Sequence, residues 1–303
     1  MTKHYEKLMD EIGCIVNNDG YSDRHENANK DSNTLSTQRD LIAGVVCKEY
    51  AMSRLLPDNI KQSHVDGDIH VHDLTNSPTM GAFNCMLVDL KFMLETGFKM
   101  GTVDIKPPQS ITVATAVAAQ IVAQVSSHTY GGTSYNRFDE VMAPYAERSY
   151  NKHLQNAHEF NIPDAETYAD TMTRREIYDA MRSLSYELNT IHTSNGQTPF
   201  ITIGFGLGTS KWEQEIQCCI LKERYKGIGK NRETPVFPKL VFTLKEGLNL
   251  NKDDPQYYIK ELAMKTSARR MYPDILSYDK IVETTGSFKA PMGERFYCPS
   301  KTA

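Results

Sequence analysis

Asp68-Ile-His-Val-His-Asp-Leu74 and Phe83-Asn-Cys-Met-Leu-Val-Asp-Leu90 are the two stretches on which the reading of this chain turns. In the second, Phe83, Cys85, Leu87 and Asp89 alternate with Asn84, Met86, Val88 and Leu90. The run is apolar enough for a strand buried on both faces, as in a parallel sheet. In the first, His70 and His72 would share a side of the chain if that segment is extended. Thr75-Asn-Ser-Pro-Thr-Met-Gly81 between them is polar and punctuated by Pro and Gly, hence a loop. A single thiol on a buried strand is most often a small apolar filler. Two imidazoles near a strand start are most often hydrogen-bonding partners. Thiol chemistry at Cys85 is the sharper alternative.

Working outward, the pattern predicts helices over 3–20, from Ser36 to about Leu56, and over 138–154, 174–190 and 212–225, with one more from about Pro255 to Arg270. Ser36 or Thr37, Thr171 or Thr173, and Asp253 or Asp254 are the expected caps. Ser110–Val125 is a helix apolar nearly all round, a mark of burial or of an interface. Gln120 and Gln124 share one face of it. Their plain role is to bond neighbouring backbone; the sharper one is a nucleotide or subunit contact. Ser126-Ser-His-Thr-Tyr-Gly-Gly-Thr-Ser134 is expected to be a tight turn. It matches no phosphate-loop spacing, although Gly-rich loops beside helices can bind phosphate. Lys226-Gly-Ile-Gly-Lys-Asn-Arg232 is a basic loop, most simply solvated.

Strands near 84–90, 199–205, 238–244 and 273–276 alternate with these helices. That is the signature of parallel β–α units and an α/β class. With 303 residues, 40% hydrophobic, the chain can bury one large core. A net charge of -4 gives no basic field for nucleic acid. No apolar run is long enough to span a membrane, and the charged N-terminus is not a secretory signal. Six scattered Cys fit neither a zinc site nor a disulfide framework, which points to a reducing cytoplasm.

Several segments together resemble one family. They are Asn27-Ala-Asn-Lys-Asp-Ser32, Thr37-Gln-Arg-Asp40, Ile69-His-Val-His-Asp73, Asn84-Cys85, Leu87-Val-Asp-Leu-Lys91, Ser194-Asn-Gly-Gln-Thr-Pro-Phe200, Phe237-Pro-Lys-Leu240 and Arg270-Met-Tyr-Pro-Asp274. They look like the large subunit of anaerobic (class III) ribonucleoside-triphosphate reductase in its phage form, over about residues 20–293. The resemblance implies the first half of a ten-stranded α/β barrel of the glycyl radical enzyme type, with residues 1–66 a helical lead-in. It implies a ribonucleoside triphosphate substrate, a dNTP effector and a homodimer. It also implies a radical-SAM activase that uses S-adenosylmethionine and an iron–sulfur cluster, and zinc in a C-terminal region. Cys85 matches the second active-site cysteine, which donates hydrogen on the face that loses the 2′ hydroxyl. His70 and His72 match the strand-start histidines, with Asn84 beside them in the substrate pocket. Gln120 and Lys152 match effector contacts.

Near its end the chain departs from that pattern. Pro291-Met-Gly293 matches the family's finger loop, but Glu294 stands where the thiyl cysteine is expected, and a carboxylate cannot form that radical. Residues 294–303 are expected to be an unrelated tail, read through from an interrupted frame. Three functions follow as expectations. One is a reductase portion inactive alone. The second is a nucleotide-binding or dimerising module that complements a separate C-terminal half or acts as a non-catalytic partner. The third, a thiol enzyme using Cys85 alone, has no base or oxyanion motif behind it.

Overall fold

The computed structural model describes residues 3–17, 34–80, 85–129, 131–194 and 196–288. The chain begins with α1 (Lys3–Asn17), α2 (Leu35–Tyr50), a π-helical continuation over Ala51–Leu55, α3 (Asp58–Asp66) and α4 (Ser77–Met80). Then come β1 (Met86–Val88), α5 (Leu90–Thr96), and a hairpin of β2 (Phe98–Met100) and β3 (Val103–Ile105). After it lie α6 (Ile111–Ser126), β4 (Thr133–Tyr135), α7 (Phe138–Glu159) and α8 (Ala165–Thr190). The chain goes on through β5 (Ile201–Phe205), α9 (Lys211–Lys226), β6 (Lys239–Leu244), α10 (Tyr257–Arg270), β7 (Asp274–Ser277) and α11 (Tyr278–Thr285).

Five strands form one parallel sheet in the order β1-β4-β5-β6-β7. That order never reverses. Right-handed crossovers therefore carry the connecting helices to a single face, as in a barrel wall rather than a doubly wound sheet. Helices α6 to α10 pack on one another there. Ile201, Ile203, Phe205, Leu240 and Phe242 of the central strands are buried with Ile111, Ile121, Phe138, Ile177 and Ile216 of the helices. The α/β class and the parallel sheet expected from the sequence are present.

Four local expectations are corrected. The first strand covers only 86–88 and lies at the sheet edge, with Leu87 39% exposed. Asp89 ends it by capping α5, its carboxylate accepting Phe92 N–H at 3.0 Å. The stretch expected to be a turn at 126–134 contains the start of β4, whose three residues are all buried. Its polar groups are satisfied internally: the Ser126 and Thr133 hydroxyls lie 3.1 Å apart, and Tyr135 OH donates to Ala118 O at 2.6 Å. Hydroxyl-rich composition hid a strand whose partners lie elsewhere in the chain.

Thr102–Pro108, whose Gly- and Pro-flanked composition predicts a loop, holds β3, paired with β2 across a turn at Gly101. The caps also moved. Thr34 caps α2 through Thr37 N–H. Asp164 caps a longer α8, while Thr173 turns back onto Ala169 O. Asp254 accepts Asn251 N–H at 2.7 Å and closes a turn before α10 instead of capping it.

Candidate active site

Cys85 lies directly ahead of β1 and is half-buried. Its Sγ accepts the Gly132 N–H at 3.4 Å, across to the start of β4. Met86 N–H donates to Gly132 O at 2.9 Å, so the backbone ladder and the thiol contact fix the same register. A thiol at a strand start, held by a backbone donor, keeps one orientation.

Other segments singled out in the sequence come to this same edge. Thr193–Gln197 forms a turn before β5, closed by Thr193 N–H to Gln197 O at 2.8 Å and Gly196 N–H to Thr193 O at 2.9 Å. Ser194 N–H donates to Ser127 Oγ at 3.1 Å, joining that turn to the end of α6. Phe200 and Phe237 meet edge to face at 5.3 Å ahead of β5 and β6. Phe237-Pro238 and Tyr272-Pro273 are both cis and precede β6 and β7. In open α/β sheets ligands usually sit beyond the carboxyl ends of strands. Here the distinctive segments gather at the amino ends.

The N-terminus of α2 closes on this edge. Gly196 has φ +72°, and a Cβ there would fall on Thr37 Oγ1 and 2.7 Å from Ser36 Oγ. Thr37 is buried and its Oγ1 is 2.8 Å from Thr34 Oγ1. Gly44 of α2 in turn packs against the Thr75 side chain.

His70 and His72 lie in the turn region between α3 and α4, and both are exposed. The segment is not an extended strand, so the expected shared side comes instead from a file of three rings. His64 and His70 centroids are 5.7 Å apart, as are those of His70 and His72. His64 Nδ1 accepts Val71 N–H at 3.2 Å, which leaves the proton of the neutral ring on Nε2. His72 Nε2 reaches Asp73 Oδ2 at 2.9 Å. His64 was missed in the sequence because it sits on a helix, apart from the His-x-His pair. Asn84 lies outside the described residues, as do Gly293, Glu294 and Cys298.

Gln120 is exposed on α6 and Lys152 is exposed on α7. Gln120 and Gln124 do share the open face of α6, with Val113, 49% exposed, on the same helix. The foot of α6 is bound tightly to its neighbours. Ile111 N–H donates to Ser149 Oγ at 3.1 Å, and Ser149 donates to Glu176 at 3.0 Å. Glu176 also takes Thr112 Oγ1 at 3.0 Å and His153 Nε2 at 2.8 Å. Burial alone would raise the Glu176 carboxyl, yet these donors together hold it below its ordinary value. Among the described residues no group of three or more His, Cys, Asp or Glu is disposed to hold a metal ion. No described helix is long and apolar enough to cross a membrane.

A parallel sheet in barrel-wall order, with a thiol at the start of its first strand, defines the class as an α/β wall with a candidate site along its amino edge. The family model for anaerobic ribonucleoside-triphosphate reductase matches residues 26–302. The chain is 59% identical over 292 residues to the Escherichia coli anaerobic ribonucleoside-triphosphate reductase and 57% identical over 291 residues to that of Haemophilus influenzae, each covering 96% of this chain. It is 51% identical over 275 residues to the enzyme of Enterobacteria phage T4, 90% of this chain. The chain spans 41% of the two bacterial relatives and 45% of the phage one. The Thermotoga maritima anaerobic ribonucleotide reductase in complex with dATP and CTP shares the fold, with a TM-score of 0.56 at 15% identity over 92% of this chain and 50% of that one. A second structure of that enzyme, with dATP bound in the specificity site, gives a TM-score of 0.58 at 14% identity, again over 92% of this chain and 50% of the other. This chain belongs to the anaerobic ribonucleoside-triphosphate reductase family.

Proposed function

We propose that this chain supplies the N-terminal part of an enzyme reducing ribonucleoside triphosphates to deoxyribonucleoside triphosphates for DNA synthesis. The observation that carries the reading is Cys85, a thiol held by the Gly132 N–H at the amino edge of the sheet. The reaction replaces the 2′ C–OH of the ribose by C–H. The hydroxyl takes a proton and leaves as water, and two electrons come from a reductant, formate or a thiol. Cys85 is the hydrogen donor on the face the hydroxyl leaves. Asn84, His70 and His72 are substrate-pocket residues in this reading, and Gln120 and Lys152 are effector contacts in a homodimer. The radical that opens the reaction is of the glycyl type, made by a radical-SAM activase.

The test is an anaerobic reductase assay of the chain with activase, formate and ATP as effector. It is run alone and with a polypeptide equivalent to the C-terminal portion of the relatives. Turnover that needs the second polypeptide and disappears in Cys85→Ser supports the reading. Turnover unchanged in Cys85→Ser overturns the role of Cys85.

A second reading, a nucleotide-binding or dimerising module that acts as a non-catalytic partner, is favoured by the open face of α6 that carries Gln120 and Gln124. It predicts that dATP binds the chain by equilibrium dialysis, weakly or not at all in Lys152→Ala, with no turnover under any complementation.

A further inference from the structure

Helix α9 carries two charged residues inside the core. Glu223 is 5% exposed and Arg224 is 4% exposed. Arg224 lays its guanidinium over the Tyr272 ring, with Cζ 5.0 Å from the centroid. A ring face offsets only part of the desolvation of a buried cation. Nε, Nη1 and Nη2 of Arg224 are all buried and have no hydrogen-bond partner among the described residues. Burial pushes the group down to about 10, so it stays charged at neutral pH. The Glu223 carboxylate bonds the Tyr178 hydroxyl, but its Oε1 is buried and has no partner among the described residues. Both residues line one cavity of about 30 Å³, walled by Phe138, Met181, Ile203 and Leu240.

Two occupants could satisfy such a pair. A bound anion would satisfy Arg224 but would stand beside the Glu223 oxygen, adding repulsion where the dielectric is low. Water satisfies both at once, accepting from the guanidinium and donating to the carboxylate. It needs roughly 10–15 Å³ of such space per molecule and at least two polar partners. The cavity meets both conditions for about two molecules.

We propose that this pocket is an ordered-solvent site, in which about two waters bridge the Arg224 guanidinium to Glu223 Oε1 and seat α9 against the start of β6. The bridge makes Arg224 and Glu223, sequence neighbours on α9, one energetic unit.

A high-resolution crystal structure of the chain, with a parallel crystal soaked in bromide, tests this. The expected result is water density within about 2.7–3.2 Å of both Arg224 and Glu223, with no anomalous bromide peak. A bromide peak at Arg224, a dry cavity, or a direct Arg224–Glu223 contact overturns the proposal. Thermal unfolding adds a second readout. Arg224→Met and Glu223→Gln should each lower the melting temperature, and the double variant should lose less than the two losses added together. Additive losses would overturn the bridge.

Discussion

Asp139 Oδ2 accepts the Gln217 side-chain amide at 2.6 Å, joining the first turn of α7 to the middle of α9 across 78 residues of sequence. The same oxygen takes Gly206 N–H at 3.2 Å and Gly208 N–H at 3.0 Å, just beyond β5. Asn249 continues the chain of bonds, donating to Gly206 O at 2.9 Å and accepting Lys245 N–H at 2.8 Å. The loops at the carboxyl ends of β5 and β6 are thus tied together by buried polar groups. The distinctive segments stand at the opposite edge.

Asp139 makes stability fall as pH rises through its titration. Burial raises its carboxyl from 3.8 to about 6, against the lowering pull of Gly208, Gly206 and Gln217. The folded chain holds this proton more tightly than the unfolded one. The contribution is fully present below 3.8 and is lost as pH climbs through about 6. Its full size is on the order of 3 kcal/mol. Urea unfolding of wild type and Asp139→Asn from pH 4 to pH 7 isolates it: the difference between the two should change across this window. A constant difference would refute the assignment.

Glu176 acts in the opposite sense. Its carboxyl is held below 4.5 by the bonds from His153, Thr112 and Ser149, which together outweigh burial. Its contribution is present above the unfolded value and is lost as pH falls through the folded one. Glu176→Gln should cost about 1–3 kcal/mol at pH 7, because three donors on two helices lose a charged acceptor. Chemical denaturation measures it. Hydrogen exchange at Ile111 to Ala114 should quicken in the variant.

Gly196→Ala should destabilise the chain by about 2 kcal/mol or more, since the residue has φ +72° and its new methyl would meet Thr37 and Ser36. Thr37→Ser in the same background does not remove the oxygen contact and should not rescue it. The melting temperatures of the two variants decide the point.

Thiol accessibility separates the cysteines. Burial pushes Cys219 up to about 12 and raises Cys218 as well. At pH 8 roughly one Cys219 in ten thousand is thiolate. Cys85 is half-buried at a strand start. Iodoacetamide followed by peptide mass mapping should label Cys85 well before Cys218 and Cys219. Equal rates at Cys85 and Cys219 in the folded chain would contradict the structure.

The α/β class was legible because β5 and β6 are continuous apolar runs between helices whose apolar faces recur at helical spacing. The sheet's first interior neighbour was not. Thr133 and Ser134 read as a turn and Tyr135 as no strand, since their burial depends on Ser126, Ala118 and two flanking strands far along the chain. Cap positions slipped for a similar reason: several Ser, Thr and Asp residues precede each helix, and only the path of the chain selects one. At the site, Cys85 stood out as a thiol on a strand pattern. Its Gly132 partner did not, because Gly131-Gly132 carries no chemistry of its own until the sheet brings it beside the sulfur. His64 was likewise hidden by belonging to α3.

The unreversed strand order has a consequence for how the chain comes off the ribosome. Each new strand of the main sheet finds its only earlier partner already made: β4 beside β1, β5 beside β4, β6 beside β5 and β7 beside β6. No strand must wait for a later one to be inserted between it and its neighbour. The wall can therefore grow one strand at a time in order of synthesis, leaving at every stage a single advancing edge to be protected from misassembly.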